Sequence, residues 1–302
     1  MFPILPANSV AEEAGNSEGI FGGGWPYTLV TNLVSNAGVV ATDVAGVGTI
    51  RNYLAATQYG GDKGIFGFGY NSSDIPVSIT NLVSNTGVVS SDQAATTGTA
   101  RRELAGCSYG EDKGIFGYGK TASVVSMTNL VSNAGVVSSD VTGVGTARHA
   151  PAACEYGGDK GIFGYGRSTS QVSMTNLVSN AGVVASDTTG VGTARNYIAA
   201  CSYGGDKGIF GYGSTASTPW STAVTNLVSN TGVVTTDVAG VDTAKTYLTA
   251  CEYGGDKGIF GFGQDGPTIL AETNLVSNTG VVSSDVAGVG TARRELAACS
   301  FN

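Results

Sequence analysis

Residues 157–195 read GGDKGIFGYGRSTSQVSMTNLVSNAGVVASDTTGVGTAR, and most of the chain is a set of variations on them. GIF begins at Gly19, Gly64, Gly114, Gly161, Gly208 and Gly258, and TNLVSN begins at Thr31, Thr80, Thr128, Thr175, Thr225 and Thr273. A unit recurring every 45–50 residues is a supersecondary piece that cannot bury its apolar face alone, so its copies must stack on one another. Six copies use up nearly all of the 302 residues. The expected organisation is therefore one repeat domain, residues 19–302, preceded by an extended arm, residues 1–18.

Each unit reads as four short strands. In the copy around Cys201, residues 198–203 form one strand, the turn Gly204-Gly205-Asp206-Lys207 leads into residues 208–213, and a variable loop precedes residues 224–229. A tight turn at Asn230-Thr231-Gly232 then gives a fourth strand, residues 233–237. Alternation along the second strand sets Phe210 and Tyr212 on one face and Ile209 on the other. A four-stranded meander at this period is a propeller blade. Glycines inside the second strand weaken an isolated sheet but suit one on which another sheet packs closely. Phe66, Phe116, Phe163, Phe210 and Phe260 are accordingly read as core between blades. The first copy lacks the strand that precedes GIFG elsewhere, and the chain finishes on a spare one, residues 296–301. The expected fold is thus all-β, a six-bladed β-propeller of four-stranded blades, closed by the C-terminal strand completing the N-terminal blade, which leaves no free sheet edges to aggregate.

The order of basic residue, innermost strand, glycine turn and aromatic-glycine strand in ARNYIAACSYGGDKGIFGYG resembles kelch-type propellers, with GYG and GVG standing where that family has paired-glycine and tryptophan signatures. The words DKGIFGYG, TNLVSNTGVVSSD and GVGTAR are also similar to repeats in proteins of tailed bacteriophages that infect aquatic bacteria. That resemblance covers nearly the whole chain and implies a virion component. It carries no catalytic motif.

Composition narrows the function classes. Charged residues are only 13% of the chain, net charge is −8, and Lys and Arg are spread through equivalent places of successive repeats, so no basic patch is expected to hold nucleic acid. The N-terminus lacks the basic residues and apolar run of a secretion signal, and no stretch is long and apolar enough for membrane insertion. Cys107, Cys154, Cys201, Cys251 and Cys299 occupy one repeat position, with Thr57 in the sixth. On neighbouring packed sheets they would stand roughly 10 Å apart, beyond the roughly 7 Å Cα reach of a disulfide, and are read as free, buried residues.

Candidate chemistry is weighed against plainer structural roles. Asp43, Asp92, Asp140, Asp187, Asp237 and Asp285 recur together with Arg51, Arg101, Arg148, Arg195, Lys245 and Arg293. Six copies suit ion pairs or turn hydrogen bonds between blades better than one active site. His149 is the only histidine, so neither a Ser-His-Asp arrangement nor a histidine-rich metal site can be assembled. GVGTAR has G-x-G without a third glycine opening a helix, and no cofactor is expected. The reading is non-enzymatic, with no catalytic residue.

Variation is concentrated in the loop after each GYG strand: WPYT at Trp25, YNSSDIPV at Tyr70, KTASVV at Lys120, RSTSQV at Arg167, STASTPWSTA at Ser214 and QDGPTILAE at Gln264. In a four-stranded meander these loops and the links between blades emerge on one face, and the GGDK and SNTG turns on the other. Function concentrates in variable loops held on a rigid scaffold. The candidate ligand-binding residues are Trp25, Tyr27, Tyr70, Asn71, Trp220 and Asp265, large aromatic faces among small polar groups suited to a glycan or a protein surface. The repeated face suits a symmetric partner, and its sameness equally suits recent duplication. The expectation is a structural or attachment protein of a phage particle located in the virion, with host surface glycan or protein and other virion proteins as partners, the latter through an arm bearing Phe2, Ile4 and Leu5. The alternative is a free lectin-like, carbohydrate-binding propeller.

Overall fold

Alternation and glycine turns produce short antiparallel strands throughout the computed structural model, which describes residues 18–94 and 96–301. The N-terminal arm thus lies outside the described residues, apart from Glu18. The described residues form strands, turns and bridges, with no helix. Six sheets have three strands each. In the sheet that contains Cys201, the middle strand Lys207–Gly211 pairs with the inner strand Ala199–Tyr203 on one side and with the outer strand Thr225–Val228 on the other. Ile209 stands opposite Cys201 and Leu227. The first sheet draws its inner strand from the other end of the chain: Gly19–Gly22 pairs with Ala297–Ser300, placing Ile20 opposite Cys299. This joins the two ends as the spare final strand led one to expect.

The fourth strand is the first departure. The segment after the SNTG turn returns along the outer strand through isolated bridges, Val228 with Val234 and Thr225 with Val238. Two residues separate the bridged positions on one side and three on the other, so one extra residue bulges and the ladder cannot continue in register. The side chain of Asn226 fills in, its Nδ2 donating to the Thr235 carbonyl at 3.1 Å and to Asp237 Oδ1 at 2.9 Å.

Burial explains the glycine-rich middle strand. Phe210 is fully buried, and a Cβ built on Gly164 of the preceding sheet would lie 2.6 Å from its Cζ, so only glycine lets the ring lie flat there. The relation recurs at every seam, including Gly261 under Phe21. The cysteines point the other way: a Cβ at Gly208 would meet Cys154 Sγ at 2.5 Å, and one at Gly64 would meet Cys299 Sγ at 2.5 Å. Thr57 fills this role toward Gly114. All five cysteines are free and buried, and burial pushes the Cys154 and Cys299 thiols up to about 12.

The alternation expected along residues 208–213 fails at its end. Tyr212 has φ +65, in the left-handed region, and this reverses the direction of its side chain. Ile209 and Tyr212 pack together against Phe260 of the following sheet, while Phe210 joins Ile162 and Tyr165 of the preceding one. Tyr212 meets Phe260 edge-on at 5.2 Å between ring centroids. Such aromatic pairs join five of the six seams, each adding about 0.5–1.5 kcal/mol beyond area burial, whereas between the first and second sheets Gly23 stands in the place of the second ring and Phe66 packs on Gly22 alone.

Candidate binding face

The variable loops and the links between sheets lie side by side. The first residue of each loop bridges or pairs with a link residue: Trp25 with Arg294, Tyr70 with Asn52, Lys120 with Arg102, Arg167 with His149, Ser214 with Asn196 and Gln264 with Thr246. Beyond these pairs the next link residue turns inward at Tyr53, Glu103, Ala150, Tyr197, Tyr247 and Glu295, with φ between 50 and 60 at all six. Left-handed geometry at a non-glycine residue costs roughly 1–2 kcal/mol, and the cost is offset here by backbone bonds. Glu103 N donates to the Tyr53 carbonyl, Ala150 N to Glu103, Tyr197 N to Ala150, Tyr247 N to Tyr197, Glu295 N to Tyr247 and Tyr53 N back to Glu295, all at 2.8–3.2 Å.

The side chains of these six form a polar aromatic mouth. Tyr197 and Tyr247 lie 4.0 Å apart between centroids, and Tyr53 is 6.3 and 6.2 Å from them. Beneath them Leu54, Leu104, Pro151, Ile198, Leu248 and Leu296 line an apolar collar. Glu103 and Glu295 are almost fully buried beside the tyrosines. Burial alone would raise the Glu103 carboxyl, but His149, Arg102 and Lys120 outweigh it and hold it below the usual range. Glu295 has no histidine: burial dominates and pushes its carboxyl up, against Tyr53, Arg294 and Asn52. Burial, with Glu295 next to it, also raises the Tyr53 hydroxyl. Asn52 Nδ2 donates to Glu295 Oε2 at 2.8 Å, and His149 Nδ1 contacts Glu103 Oε2.

Arginines tie the mouth to two of the candidate aromatic residues. The Arg294 guanidinium lies 4.6 Å from the Trp25 ring and pairs with Glu295 at 3.1 Å, and Arg102 lies 4.2 Å from the Tyr70 ring and pairs with Glu103 at 3.4 Å. Tyr27 donates its hydroxyl proton to Asp74 Oδ1 at 2.7 Å, an interaction that raises its pKa and joins the first loop to the second. Asn71 Oδ1 accepts from the backbone amides of Ser73 and Ile75, shaping that second loop. Trp25, Tyr27, Tyr70 and Asn71 therefore share one sector. Trp220 is elsewhere, 62% exposed at the tip of its loop, and Asp265 is exposed in a two-residue hairpin opposite Thr268.

The mouth residues were not among the sequence candidates. The signal was present: after each TAR, TIR or TAK the pairs Asn52-Tyr53, Arg102-Glu103, His149-Ala150, Asn196-Tyr197, Thr246-Tyr247 and Arg294-Glu295 vary while their neighbours repeat. The six recurrent Asp and basic residues are structural. Arg148 is fully buried, its NH2 donating to Asn176 Oδ1 at 2.8 Å above the Tyr118 ring. Asp187 accepts from Thr146 N and Oγ1 of the preceding link at 3.0 and 2.7 Å. The same Asp–Thr bond joins the last link to the first sheet, where Thr291 Oγ1 donates to Asp43 at 2.6 Å. In the GGDK turns Lys207 pairs with Asp206 at 2.7 Å, partly exposed. Among the described residues no three His, Cys, Asp or Glu side chains converge as a metal site.

The face thus offers aromatic planes, paired donors and acceptors, and loops of unequal length. No protein-family model matches the chain, and no curated protein matches it significantly.

Proposed function

We propose that the six three-stranded sheets, each with its bridged fourth segment, are the blades of a kelch-like, six-bladed β-propeller closed by the C-terminal strand, and that this propeller works by binding and not by catalysis. Three series that return to their start support the closure: the backbone bonds from Tyr53 round to Glu295, the Asp–Thr bonds, and the Phe-on-Gly contacts. The function is attachment or structure in a tailed-phage virion. The variable face meets a host surface glycan or a neighbouring virion protein.

The observation that carries this reading is where the repeats differ. Outside the loops and the link pairs the copies are nearly identical, and the bridges bring these two variable elements together at one end of the sheets. Variation held on a rigid scaffold is the arrangement of a recognition surface. The free lectin-like alternative is favoured by one feature, the exposed Trp220.

The test is binding of the labelled full chain to aquatic bacterial cells and their extracted surface glycans, beside a version with the loop 214–223 shortened. Binding that is lost with the loop supports recognition by the variable face. Absence of binding, together with absence of the protein from purified particles, refutes both halves of the reading.

A further inference from the structure

One seam departs from the other five. Lys245 stands where they have Arg51, Arg101, Arg148, Arg195 and Arg293, and Glu272 stands where they have Val30, Ile79, Met127, Met174 and Val224. Asp242 replaces the recurrent glycine of GVGT in the same copy. These three come from two repeats and meet at the junction of the fifth and sixth sheets.

The Lys245 side chain is fully buried against the Tyr212 ring, 5.9 Å from its centroid. Its Nζ donates to Asn274 Oδ1 at 2.7 Å and to Asp285 Oδ1 at 2.7 Å. A C=O bond of about 1.2 Å then leaves Asn274 Cγ at most about 3.9 Å from Nζ, given the 2.7 Å contact. Asn274 Nδ2 donates to the same Asp285 oxygen at 2.9 Å. Asp242 Oδ2 accepts from Asp285 N at 2.7 Å and fixes the aspartate backbone. Glu272 Oε2 is buried without a hydrogen-bond partner, 3.8 Å from Nζ. A buried amine and a buried carboxamide carbon are thus held against a shared, partly buried carboxylate, a proximity that by itself lowers the barrier to acyl transfer.

The geometry points to an intramolecular isopeptide bond between Lys245 Nζ and Asn274 Cγ, formed with Asp285 as proton carrier. Asp285 takes one ammonium proton, and the freed lone pair of Nζ forms the bond to Cγ. Asp285 passes that proton to Nδ2 and takes a second one from Nζ. The Cγ–Nδ2 bond breaks, and the departing ammonia collects the remaining proton as ammonium. No oxidant or cofactor is needed. Burial would raise the Asp285 carboxyl, but Lys245, Thr243 and Asn274 outweigh it and hold it at about 2. The product staples the link after the fifth sheet to the outer strand Thr273–Val276 of the sixth.

Intact-mass spectrometry of the full chain, fresh and after prolonged warm incubation, tests this. The expected mass is about 17 Da below that of the sequence, from the loss of ammonia. Trypsin then fails to cut after Lys245, and residues 208–257 emerge joined to residues 258–293. K245R keeps the full mass, and it folds because arginine occupies the other five seams. Full mass in both wild-type samples overturns the inference, as does a loss of about 17 Da that persists in K245R, which would mark an imide at an asparagine instead.

Discussion

Gly64→Ala puts a methyl group 2.5 Å from Cys299 Sγ, where the last strand of the chain packs on the second sheet. The backbone of Gly64 does not need glycine, since its φ is not among the positive ones, and alanine there reduces unfolded-state freedom, worth about 0.4–1 kcal/mol of stabilisation. Overpacking in a close-packed seam costs about 1–3 kcal/mol and wins. Cys299→Ala alone removes a buried sulfur and costs about 1–2 kcal/mol. In the double variant the new methyl moves into the space the sulfur left. The combined loss should then fall short of the sum of the two by about 1 kcal/mol or more, the coupling expected of groups in contact. Urea unfolding midpoints of the four proteins, with unchanged slopes, give the cycle directly. Additivity within about 0.5 kcal/mol would mean that Cys299 and Gly64 do not touch, and the junction of the two chain ends would have to be abandoned. Gly205→Ala is the control: its φ is +75 and nothing lies within 4 Å, so it should cost about 1 kcal/mol by backbone strain alone and show no coupling to any cysteine.

Acid should loosen the links between sheets. Burial raises the carboxyls of Asp43, Asp92, Asp140, Asp187 and Asp237, but bonds from Thr and Asn together with the nearby Arg outweigh it and lower them. A depressed folded pKa gives stability that is present above the unfolded value of about 3.9 and is lost as pH falls through the folded one. Urea midpoints should therefore drop as pH goes from about 4 toward Asp285's value of about 2, and a flat profile would count against these bonds. The five cysteines should ignore thiol reagents at neutral pH while folded and react together once urea unfolds the chain, because burial keeps their thiols protonated. Rapid labelling of the native protein would contradict the seam packing. Trp220→Ala should change stability by no more than about 0.5 kcal/mol, as an exposed loop substitution, while reducing binding to cells or glycans. Undiminished binding would move the contact to the sector of Trp25, Tyr27 and Tyr70.

Legibility varied with distance along the chain. The inner, middle and outer strands of each unit could be read because alternation, glycine turns and exact repetition are local signals. The bulged fourth segment could not, since the three residues that face two between the bridges depend on where the Asn226 side chain reaches. Alternation places Phe210 between sheets, as found, and puts Tyr212 on the wrong face. Its left-handed φ is set by the chain turning out of the strand, which alternation does not report. Of the site, the loops with Trp25, Tyr27 and Tyr70 were visible as departures from the repeat. The mouth of Tyr53, Glu103, Tyr197, Tyr247 and Glu295 is hidden from the sequence because single variable residues beside a recurrent basic residue look like drift until they converge.

From the sequence alone came the all-β character, the sixfold repetition, the strands that pair within a unit, and the last strand that completes the first sheet. Those follow from hydrogen bonding and alternation over a few residues, and identical words must fold alike. The tertiary structure decided what faces what across a seam. Arg294 meets Trp25, Tyr27 meets Asp74, and Lys245 meets Asn274 and Glu272 only after two sheets have stacked. Such contacts join residues tens or hundreds of positions apart, and their geometry is set by the packing of fully buried phenylalanines on glycines, which no local pattern encodes.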